Sequence, residues 1–236
     1  MSVFTFKQFT VQQKNSSHKV GTDGVLLGAW TKKYITSDIV NILDIGTGTG
    51  VISLMMAQAF ATAVITAIEP DTLSAQEASE NFLASPWSDR LHLLYYRLED
   101  YQPPNPFQLI ICNPPFYIED TYSPDRRRAS ARHISNLSLE NLFKFSSQNL
   151  KAGGYLSIIL PSYHLSNIIN LAAENDLHIA RNTFIYPKSS KDANRILLML
   201  THTKANTISN NLTIYHEDNT YTSAYIELCK DYYLKM

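Results

Sequence analysis

Asn113-Pro114-Pro115-Phe116 follows a short apolar run, Gln108 to Cys112, whose length and β-branched content predict a buried strand. The two prolines end that strand, because they lack N–H groups and hold φ near one value. Asn113, placed before a proline, is pushed towards extended conformations. A strand end thus carries a rigid turn that presents an amide, backbone carbonyls and an aromatic ring. A planar nitrogen heterocycle with an exocyclic NH2 suits this equipment. The Asn113 amide oxygen and the Pro114 carbonyl can accept its two N–H bonds, while Phe116 stacks on the ring. A proline-rich turn with a capping Asn suits the four residues equally well, so neighbouring motifs must decide.

The second chemical stretch is Asp44-Ile-Gly46-Thr47-Gly48-Thr-Gly50. It closes the strand Asn41–Ile45 and opens an apolar helix from Val51 to about Phe60. Glycines let a backbone approach a ligand closely and let a helix N-terminus face it. The spacing is GxGxG. The dinucleotide fingerprint GxGxxG needs its last glycine at position 51, which is Val. The next strand, 63–68, ends in Glu69, where a carboxylate can accept both hydroxyls of a ribose. A structural turn with an exposed Glu explains these residues less well than a nucleoside site does.

The elements that must position these groups alternate. Residues 3–11 read as a short strand or ribbon, and Thr22 or Asp23 as the N-cap of a helix carrying Val25, Leu26, Ala29 and Trp30. Helix 71–84, strands 91–96 and 107–112, helix 140–150 stopped by Gly153-Gly154, strand 155–160 and helix 162–174 follow. Strands 177–186 and 195–201 read as a hairpin, and 221–236 as a helix with Tyr225, Leu228, Cys229 and Tyr232 on one face. Such alternation implies a mostly parallel sheet with helices on both faces. Ligands bind beyond the carboxyl ends of such strands, where Asp44, Glu69 and Asn113 all stand.

Length and charge set the wider limits. The 236 residues are ample for a real core, and a net charge of −1 excludes a globally basic nucleic-acid binder without excluding a basic patch. Cys112 and Cys229 form neither a disulfide framework nor a metal cluster, so no metal is expected. The uncharged stretch from Ile45 to Ile68 splits into turn, helix and strand, which argues against a membrane span. With no cleavable signal before Lys7, a cytoplasmic protein is expected.

With these parts placed, the chain resembles the class I S-adenosylmethionine-dependent methyltransferases. Asp44-x-Gly-x-Gly-x-Gly50 looks like their cofactor turn, Glu69 like their ribose acid, and Asn-Pro-Pro-Phe like the motif of amino-methylating members. Phe4-Thr-Phe-Lys-Gln-Phe9, Lys19-Val-Gly-Thr-Asp-Gly-Val-Leu-Leu-Gly-Ala-Trp30 and the ending Tyr221-Thr-x-x-Tyr-x-x-Leu-x-x-Asp-Tyr-Tyr-Leu-Lys235 resemble one bacterial subfamily, the tRNA1(Val) (adenine(37)-N6)-methyltransferases. The resemblance implies a Rossmann-like α/β fold, with a mostly parallel seven-stranded sheet and an antiparallel last hairpin. It implies one domain: an N-terminal strand and helix over 1–36, a core over 37–202, and a strand and helix over 203–236. It also implies an S-adenosylmethionine site formed by Thr22, Asp44 and Gly46, by Thr47, Gly48 and Gly50, and by Glu69, Pro70 and Asn113. Asn113, Pro114 and Phe116 would be catalytic. Where the family carries an acid after the third strand, this chain has Arg97-Leu98, so Asp100 or the Leu98 backbone is expected to meet the cofactor adenine.

The stretch 117–137 supports a nucleic-acid partner. Four of the chain's eight arginines, Arg126, Arg127, Arg128 and Arg132, fall within seven residues beside the catalytic turn. Charge runs are often only solvated faces, but this position favours phosphate contact. Lys188, Lys191 and Arg195 join that rim if the penultimate strand runs parallel to its neighbours. These residues favour methylation of an RNA adenine; the resemblance implies a tRNA adenine near the anticodon, and a monomer is expected. A ribosomal-RNA guanine or protein-glutamine methyltransferase, and a non-catalytic cofactor-binding module, are the competing readings.

Overall fold

The computed structural model describes residues 2–16, 19–115 and 137–236. At the N-terminus β1 (Val3–Thr5) and β2 (Thr10–Gln12) pair as an antiparallel ribbon, followed by α1 (Thr22–Tyr34). Then come β3 (Asn41–Ile45), α2 (Val51–Ala59), β4 (Val64–Ile68), α3 (Thr72–Leu83), β5 (Leu91–Leu94) and β6 (Phe107–Cys112). The second half holds α4 (Leu139–Asn149), β7 (Leu150–Pro161), α5 (Leu165–Glu174), β8 (His178–Tyr186), β9 (Arg195–Thr201), β10 (Ile208–Thr213) and α6 (Ser223–Cys229). The main sheet has the order β10-β8-β9-β7-β6-β3-β4-β5. Every pairing is parallel except those of β9 with β7 and β8, so β9 alone runs against the rest.

Side chains alternate across this sheet. Ile42 of β3 and Leu109 and Ile111 of β6 enter one apolar cluster with α1, α2, α3 and α6. Leu43 and Ile45 of β3, with Ile110 and Cys112 of β6, enter a second with α4 and α5. A period of two therefore gives a sheet covered on both faces, and its central strands are wholly buried. Trp30 fixes α1 to β8 by donating from Nε1 to Thr183 Oγ1 at 2.9 Å.

The Rossmann-like arrangement stands, with four corrections. The strand expected within 203–236 is β10, and it joins the main sheet, which has eight strands rather than seven. Gly21, not Thr22 or Asp23, is the N-cap of α1, and no side chain caps that helix. Gly153 and Gly154 do not stop a helix. They lie within β7, where Gly153 has φ 75° and the register against β6 shifts between Phe107 and Leu109, so the pair makes a bulge. The last helix covers only Ser223–Cys229, because Tyr233 leaves it to bridge Phe6 beside the N-terminal ribbon.

Candidate active site

The glycine turn joins β3 to α2. Gly46 and Gly48 have φ of 69° and 56°, and a Cβ on either would meet nothing within 4 Å, so both present bare backbone to open space. Gly50, at φ 82°, does different work. A Cβ there would lie 2.5 Å from Cε1 of Phe82, so this glycine lets α3 pack against the start of α2. Asp44 holds the turn from beneath. It is fully buried, and its Oδ2 accepts from Thr47 Oγ1 at 2.6 Å and Ser53 Oγ at 2.7 Å. Burial, only partly offset by those bonds, raises its carboxyl to about 6.

Glu69 ends β4, the strand beside β3. Its Oε2 accepts from the Gly48 N–H at 2.9 Å and its Oε1 from the Asp71 N–H at 3.0 Å. The carboxylate thereby fixes both the glycine turn and the start of α3, where Asp71 caps the helix through Ser74. Burial pushes the Glu69 carboxyl up to about 7.

Between these groups lies a cavity of about 700 Å³, within the size range of small-molecule sites. Gly46, Thr47, Gly48, Glu69 and Pro70 line one side, Thr22 and Asp23 at the start of α1 another, and Leu98 and Asp100 a third. Asn113, Pro114 and Pro115 close the end beyond β6. The cavity thus joins all the residues proposed for the cofactor from sequence except Asp44 and Gly50, which stand behind its wall. Phe116 lies outside the described residues. Leu98–Asp100 forms a 3-10 turn, in which Glu99 is engaged by Asn141 Nδ2 at 2.8 Å while Asp100 also borders a neighbouring cavity.

Sequence reasoning missed part of this wall. Lys19, Asp71, Ser74, Tyr96 and Leu137 also line the cavity. Asp71 and Ser74 carried a detectable signal, since Asp-x-x-Ser after a strand is an N-cap pattern. Asp23 accepts from Arg195 Nε at 2.9 Å, joining the start of α1 to the start of β9. That bond spans 172 residues of sequence, and no local pattern announces it. β8 runs with β7, so the loop after it, with Lys188 and Lys191, does emerge at the carboxyl edge that carries Asn113. Lys188 Nζ donates to the Glu217 carbonyl at 3.0 Å. Arg126, Arg127, Arg128 and Arg132 lie outside the described residues. Among the described residues no cluster suited to a metal ion occurs, and no helix is long and apolar enough to cross a membrane.

Residues 25–171 match the methyltransferase small domain family. The tRNA1(Val) (adenine(37)-N6)-methyltransferase of Flavobacterium psychrophilum is 39% identical over 236 residues, covering 99% of this chain and 100% of that one. The enzyme of that name from Vibrio vulnificus is 38% identical over 233 residues, covering 99% and 96%. Among solved structures, a predicted O-methyltransferase from Agrobacterium tumefaciens superposes with a TM-score of 0.70 at 20% identity, over 89% of this chain and 96% of that one. A putative class I S-adenosylmethionine-dependent methyltransferase from Listeria monocytogenes gives 0.59 at 17% identity, over 83% and 68%. These two likenesses are of fold. The sequence matches carry more: the chain belongs to the methyltransferase small domain family, in the branch that holds the tRNA1(Val) (adenine(37)-N6)-methyltransferases.

Proposed function

We propose that this protein transfers a methyl group from S-adenosylmethionine to N6 of an adenine in tRNA, namely adenine 37 of tRNA1(Val), beside the anticodon. The observation that carries the reading is the meeting of the glycine turn and Asn113-Pro114-Pro115 in one cavity. Relatives aligned over nearly the full chain bear the name of this reaction.

The cavity fits the cofactor. Gly46 and Gly48 leave the space that a Cβ would fill, and Glu69 offers a carboxylate already oriented by two backbone N–H groups. When bound, S-adenosylmethionine supplies a methyl carbon that is already electrophilic. The protein's task is then alignment. Adenine N6 is a poor nucleophile because its lone pair is delocalised into the ring. Asn113 and the Pro114 carbonyl accept both of its N–H bonds, which favours a pyramidal nitrogen with its lone pair free for attack. No strong base is needed: as the N–C bond forms the S–C bond breaks, the sulfonium would leave as a neutral thioether, and the cationic N6 then loses its proton to water. Phe116 stacks on the base once it is unstacked from the loop. Glu69 accepts the ribose hydroxyls, and Asp100 or the Leu98 backbone meets the cofactor adenine. Arg126, Arg127, Arg128 and Arg132, with Lys188 and Lys191, hold phosphates. The protein acts as a monomer in the cytoplasm.

Incubation with labelled cofactor and unmodified tRNA, followed by nucleoside analysis, tests the reading. N6-methyladenosine in tRNA1(Val) is expected. Label in guanosine or in protein alone overturns it.

A further inference from the structure

We propose that Tyr163, backed by His164, is a stacking platform for a nucleobase flanking the methylated adenine; the inference rests on the tRNA reading above. Tyr163 is 63% exposed, unusual for so large a ring. It sits in the 3-10 turn Ser162–His164 that follows β7. β7 lies beside β6, with Ile158 opposite Cys112, and then runs on for three residues to Pro161. Adjacent strands lie about 4.8 Å apart, so the end of β7 passes alongside the Asn113-Pro114-Pro115 turn.

On its other side Pro161 pairs with Arg195, whose guanidinium binds Asp23 in the cofactor wall. The turn thus leaves the sheet at the same edge as Asn113, which lines the active-site cavity. It is also held firmly. The Ser162 N–H donates to the Asn194 carbonyl at 3.3 Å, and Ser162 Oγ to the Ala193 carbonyl at 2.5 Å. Those carbonyls belong to the loop that carries Lys188 and Lys191. The Tyr163 and His164 rings lie 4.4 Å apart at 38°, so the exposed ring is supported from one side. Burial holds the His164 imidazole below its ordinary value, favouring its neutral form.

The chemistry that matches an exposed ring, on a turn tied to the loop of Lys188 and Lys191, is a base with its phosphates. An adenine withdrawn from a loop leaves its neighbour unstacked, and an aromatic side chain can replace the lost partner. The nearby lysines would meet the adjoining phosphates.

Steady-state methylation of unmodified tRNA by the full-length protein tests this with Tyr163→Ala and Tyr163→Trp. Stacking is worth about 1–3 kcal/mol per base, so the Ala variant should raise KM for tRNA roughly 5- to 150-fold. Its kcat and cofactor affinity should stay at parent values, and Trp should restore KM. The salt dependence of KM should match the parent, because no charge is removed. A 2-aminopurine placed next to the target adenine should be quenched by parent and Trp variant but not by Ala. Unchanged KM in Tyr163→Ala, or failure of Trp to restore it, overturns the platform while leaving the functional reading intact. A parent protein that leaves tRNA unmethylated overturns both.

Discussion

Asn113 and Glu69 face one cavity from strands on either side of β3, and on the function proposed above Asn113 holds the acceptor and Glu69 the donor. Asn113→Ala should lower methyl transfer by about 10²- to 10³-fold, the size of effect that follows loss of one preorganised hydrogen-bonding group. Cofactor affinity should be nearly unchanged, and a parallel fall in calorimetry would move Asn113 to the cofactor. Glu69 should show its role through pH. Burial, against two backbone N–H groups and with small repulsions from Asp71 and Asp44, brings its carboxyl up to about 7. Ribose hydroxyls donate to the ionised form, so cofactor affinity should rise with pH through about 7 and fall towards tenfold per unit below it. Glu69→Gln should bind about 1–3 kcal/mol more weakly with a flat pH profile. Ligand-free stability should change in the opposite sense. The folded pKa exceeds the unfolded 4.5, so this contribution is full below about 4.5 and is lost as pH rises through about 7. The melting temperature of Glu69→Gln relative to the parent should therefore increase from acid to mildly alkaline pH; a constant difference would count against an ionising Glu69. Both residues were legible because each stands at the end of an apolar run next to a breaker. The inward position of Asp44 was not, since a carboxylate with two hydroxyl donors nearby reads the same whether it faces a ligand or the turn.

The elements that hold the site were legible in proportion to their burial. β3, β4 and β6 are apolar runs, and their parallel direction follows from the alternation with helices. β10 is mostly exposed and reads Ile-Ser-Asn-Asn-Leu-Thr, so it lacks the apolar alternation that marks a strand; an edge position beside β8 is what makes it one. Least legible was the strap between β2 and α1. Glu77 of α3 accepts from the backbone N–H groups of Lys14 at 2.5 Å, Asn15 at 2.9 Å and Ser16 at 2.8 Å. Asn81, one turn on, joins Gln12 of β2 to the Thr49 carbonyl in the glycine turn. Burial raises the Glu77 carboxyl, but these hydrogen bonds outweigh it and hold the group below its usual value. Three donors from one loop on one carboxylate make α3 the anchor of the segment leading to Lys19 and Thr22. Glu77→Ala should lower stability by about 2–4 kcal/mol, because several N–H groups lose a charged acceptor together. Urea unfolding measures this, and cofactor affinity should fall with it as the Lys19–Thr22 wall loosens. The sign with pH is the reverse of Glu69. The stabilisation is present above about 4.5 and is lost as pH falls through the lower folded value, so parent and variant should converge in acid. A Glu77→Ala protein as stable as the parent at neutral pH would show that the strap is held by other contacts.

At the scale of the whole molecule, a net charge of −1 gives no general attraction for RNA, so the tRNA affinity proposed above rests on where cations are gathered. The parallel sheet sends its strand ends to one edge, and the loops that leave there follow β6 and β8. Arg126, Arg127, Arg128 and Arg132 follow β6 in sequence, and Lys188 and Lys191 follow β8. One edge thus carries Asn113 and the loop of Lys188 and Lys191. Phosphate contacts supply most sequence-independent affinity, each lowering the slope of log K against log salt by about 0.7 to 0.9. Replacing Arg126, Arg127 and Arg128 together with Ala should therefore weaken tRNA binding and flatten that slope by about two units. Cofactor affinity should not change, since a cationic sulfonium gains nothing from added arginines. On the positioning role proposed above, the catalytic rate at saturating tRNA should survive too. Filter-binding titrations of parent and triple variant at several salt concentrations check both slopes. A run that is only a solvated face predicts identical slopes and identical affinities, whereas a run that holds the base itself predicts loss of rate at saturation with the slope intact.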